Sequence, residues 1–279
     1  MPDKTLTRKS LAATAHWAAA VRAMESARED PLFSDPWATA LAGPEGAAWI
    51  KRRSPDSVIP MILRTRFFDD FLLRIACEHT IRQVVLMAAG LDTRAFRLGW
   101  PARTRLFELD QPDVLSYKKR VLHAVGARPT CERTAVACDL TGPWAQALTA
   151  TCFNPYQPSA WLLEGFLFYL TSQDLVQLLD RILDLAAPGS WIGFDIINSI
   201  TLSSPLTQRW VEMQAKAGAP WIGTLDDPAE FMAARGWQAT LVHLGSPEAN
   251  YDRWPYPVVP SAMPGTPRMW FVVAQKEPH

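Results

Sequence analysis

The sequence lacks most features that would announce a partner at once. It has no excess of either charge: Lys and Arg together number 28, and so do Asp and Glu. A balanced chain offers neither the basic groove that nucleic acid needs nor the polybasic face that an anionic membrane attracts. Two basic runs, Lys51 to Arg53 and Lys118 to Arg120, are short and read as solvated faces. Cysteine is scarce. Cys77, Cys131, Cys138 and Cys152 form no C-x-x-C pair, which argues for buried thiols in a cytoplasmic chain rather than a disulfide framework. The five histidines are scattered, with no spacing that would hold a metal. No apolar run approaches the roughly 20 residues that span a bilayer. The alanine-rich stretch after Lys9 is broken by His16, Trp17 and Arg22, so it reads as a helix of the mature protein rather than a signal peptide. Internal repeats and low-complexity linkers are also missing.

What is present is a large apolar fraction, 48%, enough for a sizeable core. Residues 1 to about 80 read as helices. In "MILRTRFFDDFLLRIACEH", Met61, Leu63, Phe67, Phe68, Phe71, Leu72 and Ile75 cover a wide apolar face. Pro36 in "REDPLFSDPWA" is placed to open another helix. From residue 83 the pattern changes to short apolar runs alternating with helical ones, the mark of repeated strand–helix units and a mostly parallel sheet. Seven runs qualify as strands: "QVVLMAA", "TRLFELD", "TAVACD", "SAWLLEG", "SWIGFDII", "ATLVHL" and "RMWFVVAQK". Between them, Pro112 opens a helix that Gly126 stops, and Thr171 with Asp174 caps another. Two helical segments interrupt the region from about 199 to 236. The proline-rich "DRWPYPVVPSAMPGTPR" reads as a surface loop leading into a closing edge strand.

In an open parallel sheet, ligands sit beyond the carboxyl ends of the strands, where the strand order reverses. Four strand ends fit one ligand. The first ends in Ala88-Ala89-Gly90, small residues that let a ligand approach the main chain. The second ends at Asp110, which follows Gly90 at the spacing of about 20 residues expected for an acid that grips ribose hydroxyls. The third ends at Asp139, which could accept from an adenine amino group. The fourth ends at Glu164, whose apolar setting in "WLLEGFLFYL" demands a partner: Arg64, another base or a cationic ligand.

Both a nicotinamide dinucleotide and S-adenosyl-L-methionine contain an adenine and a ribose. The dinucleotide needs G-x-G-x-x-G for its pyrophosphate, whereas the corresponding positions here are Ala88, Gly90 and Thr93, and the acid Asp92 between the last two would also face the phosphates. A phosphate-free ligand with a positive centre suits this loop better. S-adenosyl-L-methionine is such a ligand, with Arg64 as a candidate for its carboxylate.

At these residues the chain resembles the leucine carboxyl methyltransferase family, in the bacterial branch that includes the tetracenomycin-type polyketide carboxyl O-methyltransferases. The pieces are "HWAAAVRAMESAREDPLFSDPWA", "RTRFFDDFL", "VVLMAAGLDTRAFRL", "FELDQPDVLSYK", "ACDL" and "LLEGFLFYL", in order and covering roughly residues 12 to 185. The resemblance implies a class I methyltransferase (Rossmann-like) α/β fold. Its sheet would be seven-stranded and mostly parallel, with helices on both faces. Residues 1–80 would form an N-terminal helical cap, and 81–279 the S-adenosylmethionine-binding domain with a helical insertion at about 199–236. It further implies that Arg64 holds the cofactor carboxylate, that Asp110 holds the ribose, and that Gln111 is among the cofactor-binding residues. Asp139 and Leu140 would flank the adenine, and Glu164 would lie near the methionine end, with Ala88 and Gly90 beneath the cofactor. Ala88 departs from the family pattern, which usually has glycine there.

The expected reaction is methylation of a carboxylate on a small, hydrophobic, polyketide-like metabolite. Such an acceptor is already ionised at neutral pH and needs no general base or metal. Tyr169, Asn198 and Arg22 are candidates to orient it. Twelve tryptophans and twelve phenylalanines supply aromatic surface, and Trp17, Trp37, Phe168, Trp210 or Trp221 could line a flat pocket. A hydroxyl, nitrogen or protein C-terminal acceptor keeps the same fold. A nicotinamide oxidoreductase and a non-catalytic cofactor-binding protein are the readings of another class. The expected chain is cytoplasmic, a monomer or homodimer, without nucleic-acid or membrane partners.

Overall fold

The computed structural model describes residues 8–53, 55–258, 260 and 263–277. Three helices, α1 (Arg8–Ser26), α2 (Ala38–Ile50) and α3 (Ile59–Glu78), precede the first strand. The strands are β1 (Gln83–Met87), β2 (Arg105–Asp110), β3 (Glu132–Ala137), β4 (Ala160–Leu163), β5 (Trp191–Ile197), β6 (Trp237–His243) and β7 (Met269–Lys276). Between them run α4 (Arg94–Arg97), α5 (Pro112–Ala124), α6 (Trp144–Thr149), α7 (Ser172–Leu185), α8 (Ser199–Ser203), α9 (Gln208–Lys216) and α10 (Pro228–Ala233).

The strands form one seven-stranded sheet in the order β3-β2-β1-β4-β5-β7-β6. The first five are parallel, and β7 runs antiparallel to both β5 and β6. The fold is therefore the expected seven-stranded, mostly parallel α/β sheet. Side chains alternate along each strand and divide the core in two. Val85, Met87, Phe107 and Leu109 face one side, with Leu175, Leu178 and Ile182 of α7. Val84, Leu86, Leu106 and Leu162 face the other, with Phe68, Phe71, Leu72 and Ile75 of α3. β1 and β4 are buried along their whole length, as central parallel strands covered on both faces must be.

The helix signals operate as read. Pro112 is in the first turn of α5, and Gly126 beyond its end has φ +69°. Thr171 caps α7 by accepting from the Asp174 N–H at 3.1 Å. Four expectations are corrected. β7 is an inner strand, and β6 takes the edge. The apolar run Trp270 to Ala274 is buried throughout, which fits an inner position better than the half-exposed β6. Lys118 is not on a solvated face: its ammonium lies 2.8 Å from Glu108 and both side chains are fully buried. Glu108 stands in the middle of β2 and requires a cation at that depth. Arg53 is partly buried against Trp49, its guanidinium carbon 4.6 Å from the ring centre. The thiols are free but not buried, with Cys77 and Cys152 exposed and Cys131 and Cys138 intermediate.

Candidate active site at the sheet's switch point

The chain runs outward from β1 to β2 and β3, then returns to place β4 on the other side of β1. A cavity opens beyond the carboxyl ends of these strands, where this topology places ligands. Arg64, Ala88, Gly90 and Asp110 line it, and so do Gln111, Asp139, Leu140 and Glu164. Arg22, Thr14, Ala15 and Ala18 of α1 close one side. Tyr169 and Asn198 do not reach it. Tyr169 is buried beside Phe168, and burial pushes its phenol up. Asn198 caps α8 and ties it to the β7 approach, accepting from the Thr201 and Arg268 N–H groups at 3.1 and 2.9 Å. None of Trp17, Trp37, Phe168, Trp210 and Trp221 lines this cavity. Trp210 lines a neighbouring cleft that shares Arg64 with it.

The floor is built by the turn after β1. Ala88 and Gly90 both take left-handed backbone, φ +49° and +48°. That geometry turns the Gly90 N–H onto Asp110 Oδ2 at 2.6 Å, while the Gln111 N–H donates to Asp110 Oδ1 at 2.6 Å. Asp110 is thereby fixed at the tip of β2. Burial raises its pKa, and the two N–H bonds offset part of that rise. At the tip of β3, Asp139 Oδ1 accepts from the Thr141 N–H at 2.9 Å and its hydroxyl at 2.7 Å, closing a short turn.

The rear wall is a network of ion pairs. Arg64 of α3 donates to Glu164 Oε1 at 3.1 Å and to Asp195 Oδ2 at 2.9 Å. Asp195, fully buried on β5, also accepts from the Gly165 N–H at 2.6 Å. Burial raises the Asp195 pKa despite Arg64. Burial alone would lower the Arg64 pKa, but Asp195 and Glu164 outweigh it and raise it. Arg94 is 1% exposed and pairs with Asp69 at 2.7 Å, Asp92 at 2.5 Å and Glu164 Oε2 at 2.7 Å. Burial would raise both Glu164 and Asp92. Arg94 and Arg64 overcome it at Glu164, and Arg94 with Lys118 brings Asp92 down to about 2. Arg97 closes on Asp69 at 2.5 Å, and Arg22 on Asp35 at 2.8 Å. Asp35, Asp69, Asp92, Glu164 and Asp195 thus face Arg22, Arg64, Arg94 and Arg97, one carboxylate in excess. Asp110 adds another on the cavity wall.

Sequence reasoning missed Arg94, Asp69 and Asp195. Asp195 carried a usable signal, since a lone acid inside the apolar "WIGFDII" needs a buried cation. Arg94 and Asp69 had none, because their meeting depends on how α3 docks.

Comparisons with known proteins identify the family. The family model for leucine carboxyl methyltransferase matches residues 15–183. A relative from Mycobacterium bovis (strain BCG / Pasteur 1173P2), provisionally named an S-adenosyl-L-methionine-dependent methyltransferase, is 38% identical over 258 residues, covering 84% of this chain and 82% of its own. A relative from Frankia alni with the same provisional name is 39% identical over 256 residues, covering 86% and 87%. Among solved structures, a provisionally named methyltransferase from Thermobifida fusca YX superposes with a TM-score of 0.60 at 18% identity, covering 99% of this chain and 97% of that one, a likeness of fold. The chain belongs to the leucine carboxyl methyltransferase family, and it is an S-adenosyl-L-methionine-dependent methyltransferase of the class I fold.

Proposed function

We propose that the protein methylates the carboxylate of a small, flat, hydrophobic acid, of polyketide type or a similar secondary metabolite. The observation that carries this reading is the lining of the cavity. Among the described residues it presents no histidine, lysine or tyrosine to take a proton from an acceptor, and of its carboxylates Asp92, Asp110, Asp139 and Glu164 already accept from arginines or main-chain N–H groups. Its one thiol, Cys138, is pushed up to about 11 by burial, with Asp110 and Asp139 adding to the rise. Hydroxyl acceptors usually need a base within hydrogen-bond reach. A carboxylate of pKa about 4 arrives already ionised.

The residues present fit S-adenosyl-L-methionine. Glu164 Oε1 accepts from Arg64 at 3.1 Å, and Oε2, 2.7 Å from an Arg94 nitrogen, keeps a further lone pair. That spare capacity can accept from an ammonium. The excess of acids suits a ligand with two positive centres and opposes a pyrophosphate. When bound, the cofactor supplies an electrophilic methyl group on a sulfonium. Asp110, held by two main-chain N–H groups, accepts from the ribose hydroxyls. Asp139 and Leu140 flank the adenine, and Ala88 and Gly90 let it approach the backbone. Arg64 holds the cofactor carboxylate, and Glu164 orients the ammonium.

The described residues before 81 are assigned as the cap, because Thr14, Ala15, Ala18 and Arg22 of α1 reach the cavity. Covering the site excludes water, which favours the meeting of an anionic acceptor with a cationic donor. Holding the two in line supplies about 7–11 kcal/mol of the barrier.

Incubation with methyl-labelled cofactor and a panel of aromatic acids should give product whose label is released as methanol by mild base. Base-stable product would move the acceptor to a hydroxyl or nitrogen.

A further inference from the structure

A second cleft lies beside the cofactor cavity, and Arg64 lines both. Its other walls include Trp49 of α2, Arg53 just beyond that helix, Met61 of α3, Trp210 and Met213 of α9, and Met269 of β7. Two features distinguish it. First, its aromatic walls are braced. Trp49 stacks on Trp17 with ring centres 5.2 Å apart, and Trp210 meets Trp221 edge-on at 5.4 Å. α9 buries none of its residues fully, so Trp210, Val211 and Met213 retain apolar surface that packing within the chain does not use.

Second, two of its polar groups, Arg53 and Trp49, carry buried donors that nothing among the described residues accepts from. Among the described residues no carboxylate lies within ion-pair distance of Arg53. Arg53 donates from Nη1 to the Met213 sulfur, a weak acceptor. Its Nε and the Trp49 Nε1 are both buried with no hydrogen-bond partner. Burial lowers the Arg53 pKa, as expected for a guanidinium lacking a counter-charge. Arg64 and Arg94, by contrast, are each ringed by carboxylates. Unmet buried donors are costly, and an anionic ligand in this cleft would offset that cost.

We propose that this cleft is the acceptor subsite, and that Arg53 and Trp49 Nε1 bind an anionic group on the substrate at the end remote from the atom that is methylated. The proposal rests on the carboxylate-methyltransferase reading and narrows its substrate class. Arg53 lines this cleft and not the cofactor cavity, so the group it holds is not the reacting one. The acceptor is then a flat aromatic molecule with two acidic groups, one methylated and one kept as an anchor. Trp210 and Met213 hold its apolar body, and Arg64 lies where the cleft meets the donor.

The test uses two probes that resemble products: the monomethyl and dimethyl esters of naphthalene-2,6-dicarboxylic acid. Each is titrated calorimetrically into the full chain saturated with S-adenosylhomocysteine. The monoester, which keeps one carboxylate, should bind the wild type roughly tenfold or more tighter than the diester, as a charge-assisted bond to a buried donor implies. Arg53→Gln should erase that preference, and Arg53→Lys should retain part of it. The affinity for S-adenosylhomocysteine should stay the same in all three proteins, which also shows that the variants fold. Equal affinity for the two esters in the wild type, absence of saturable binding of either, or a preference that survives Arg53→Gln would each overturn the proposal. Binding is read without turnover, so the two readings fail separately. Arg53-dependent binding with no base-labile product would spare the cleft and sink the carboxylate reading. Base-labile product with an unaffected Arg53→Gln would do the reverse.

Discussion

Ala88 carries a Cβ in left-handed backbone, at φ +49°. For an L-residue that conformation costs about 1–2 kcal/mol, and glycine escapes it. The turn tolerates the cost because the neighbouring bonds determine it: Ala89 N–H to Leu109 at 3.0 Å and Gly90 N–H to Asp110 at 2.6 Å. Replacing Ala88 with glycine should therefore stabilise the protein by about 0.5–1 kcal/mol, after the added freedom of the unfolded chain is counted. Urea unfolding would show this as a higher midpoint with an unchanged slope, and an unchanged or lower midpoint would contradict it. Gly165 shows the opposite constraint. It sits at φ +67°, and a Cβ there would lie 2.9 Å from Arg64 Nη1 and Nη2. The Glu164-Gly165 pair therefore works as a unit, the acid engaging the arginine and the glycine making room for it. The sequence made the acid legible, because a carboxylate in an apolar run needs a partner. The reason for the glycine becomes visible only with Arg64 in place.

The seam between α3 and β5 is where element packing positions the site. α3 carries Arg64 toward the cavity with one part of its surface and lays Phe68 and Phe71 on the sheet with another. Gly193 of β5 permits this close approach. A Cβ there would lie 2.8 Å from Phe71 Cε1 and 3.2 Å from Phe68 Cε1. Gly193→Ala should cost about 1–3 kcal/mol through overpacking. Phe71→Leu, itself destabilising, should recover part of that loss in the double variant, because it removes the ring the methyl group meets. Chemical denaturation of the two single variants and the double closes the cycle, and strict additivity would rule out the contact as the cause. The elements themselves were largely legible in the sequence. All seven strands fall on runs of apolar residues, and the caps at Thr171 and Gly126 follow local chemistry. What was not legible depends on pairing over distance. Lys118 looked like one of a surface triplet, yet its neighbour in space, Glu108, lies on another element. The order β5-β7-β6 likewise cannot be read from strands met in the sequence β5, β6, β7.

The ion-pair network ties α1, α3, the turn after β1, β4 and β5 into one body, so its titration belongs to the whole molecule. Its members do not all act in one direction. Glu164 is held below its ordinary value of 4.5, and Asp92 falls from 3.8 to about 2. For a carboxyl with a depressed folded-state pKa, stability is present above the unfolded value and lost as pH falls through the folded one. Asp110 and Asp195 are raised above 3.8, and their contribution has the opposite sign, diminishing as pH rises through their folded values. At neutral pH the net contribution of Asp92 is about 2 kcal/mol, at roughly 1.4 kcal/mol for each pKa unit. Asp92→Asn should thus lower stability by about 2 kcal/mol at pH 7. It should also flatten the decline that the wild type shows as pH drops from about 4.5 toward 2. Thermal or urea unfolding across that range would read both effects. If the variant matched the wild type at neutral pH, or declined as steeply in acid, Arg94 would owe its placement to Asp69 and Glu164 alone. Asp92 would then stand at the site as a solvated acid.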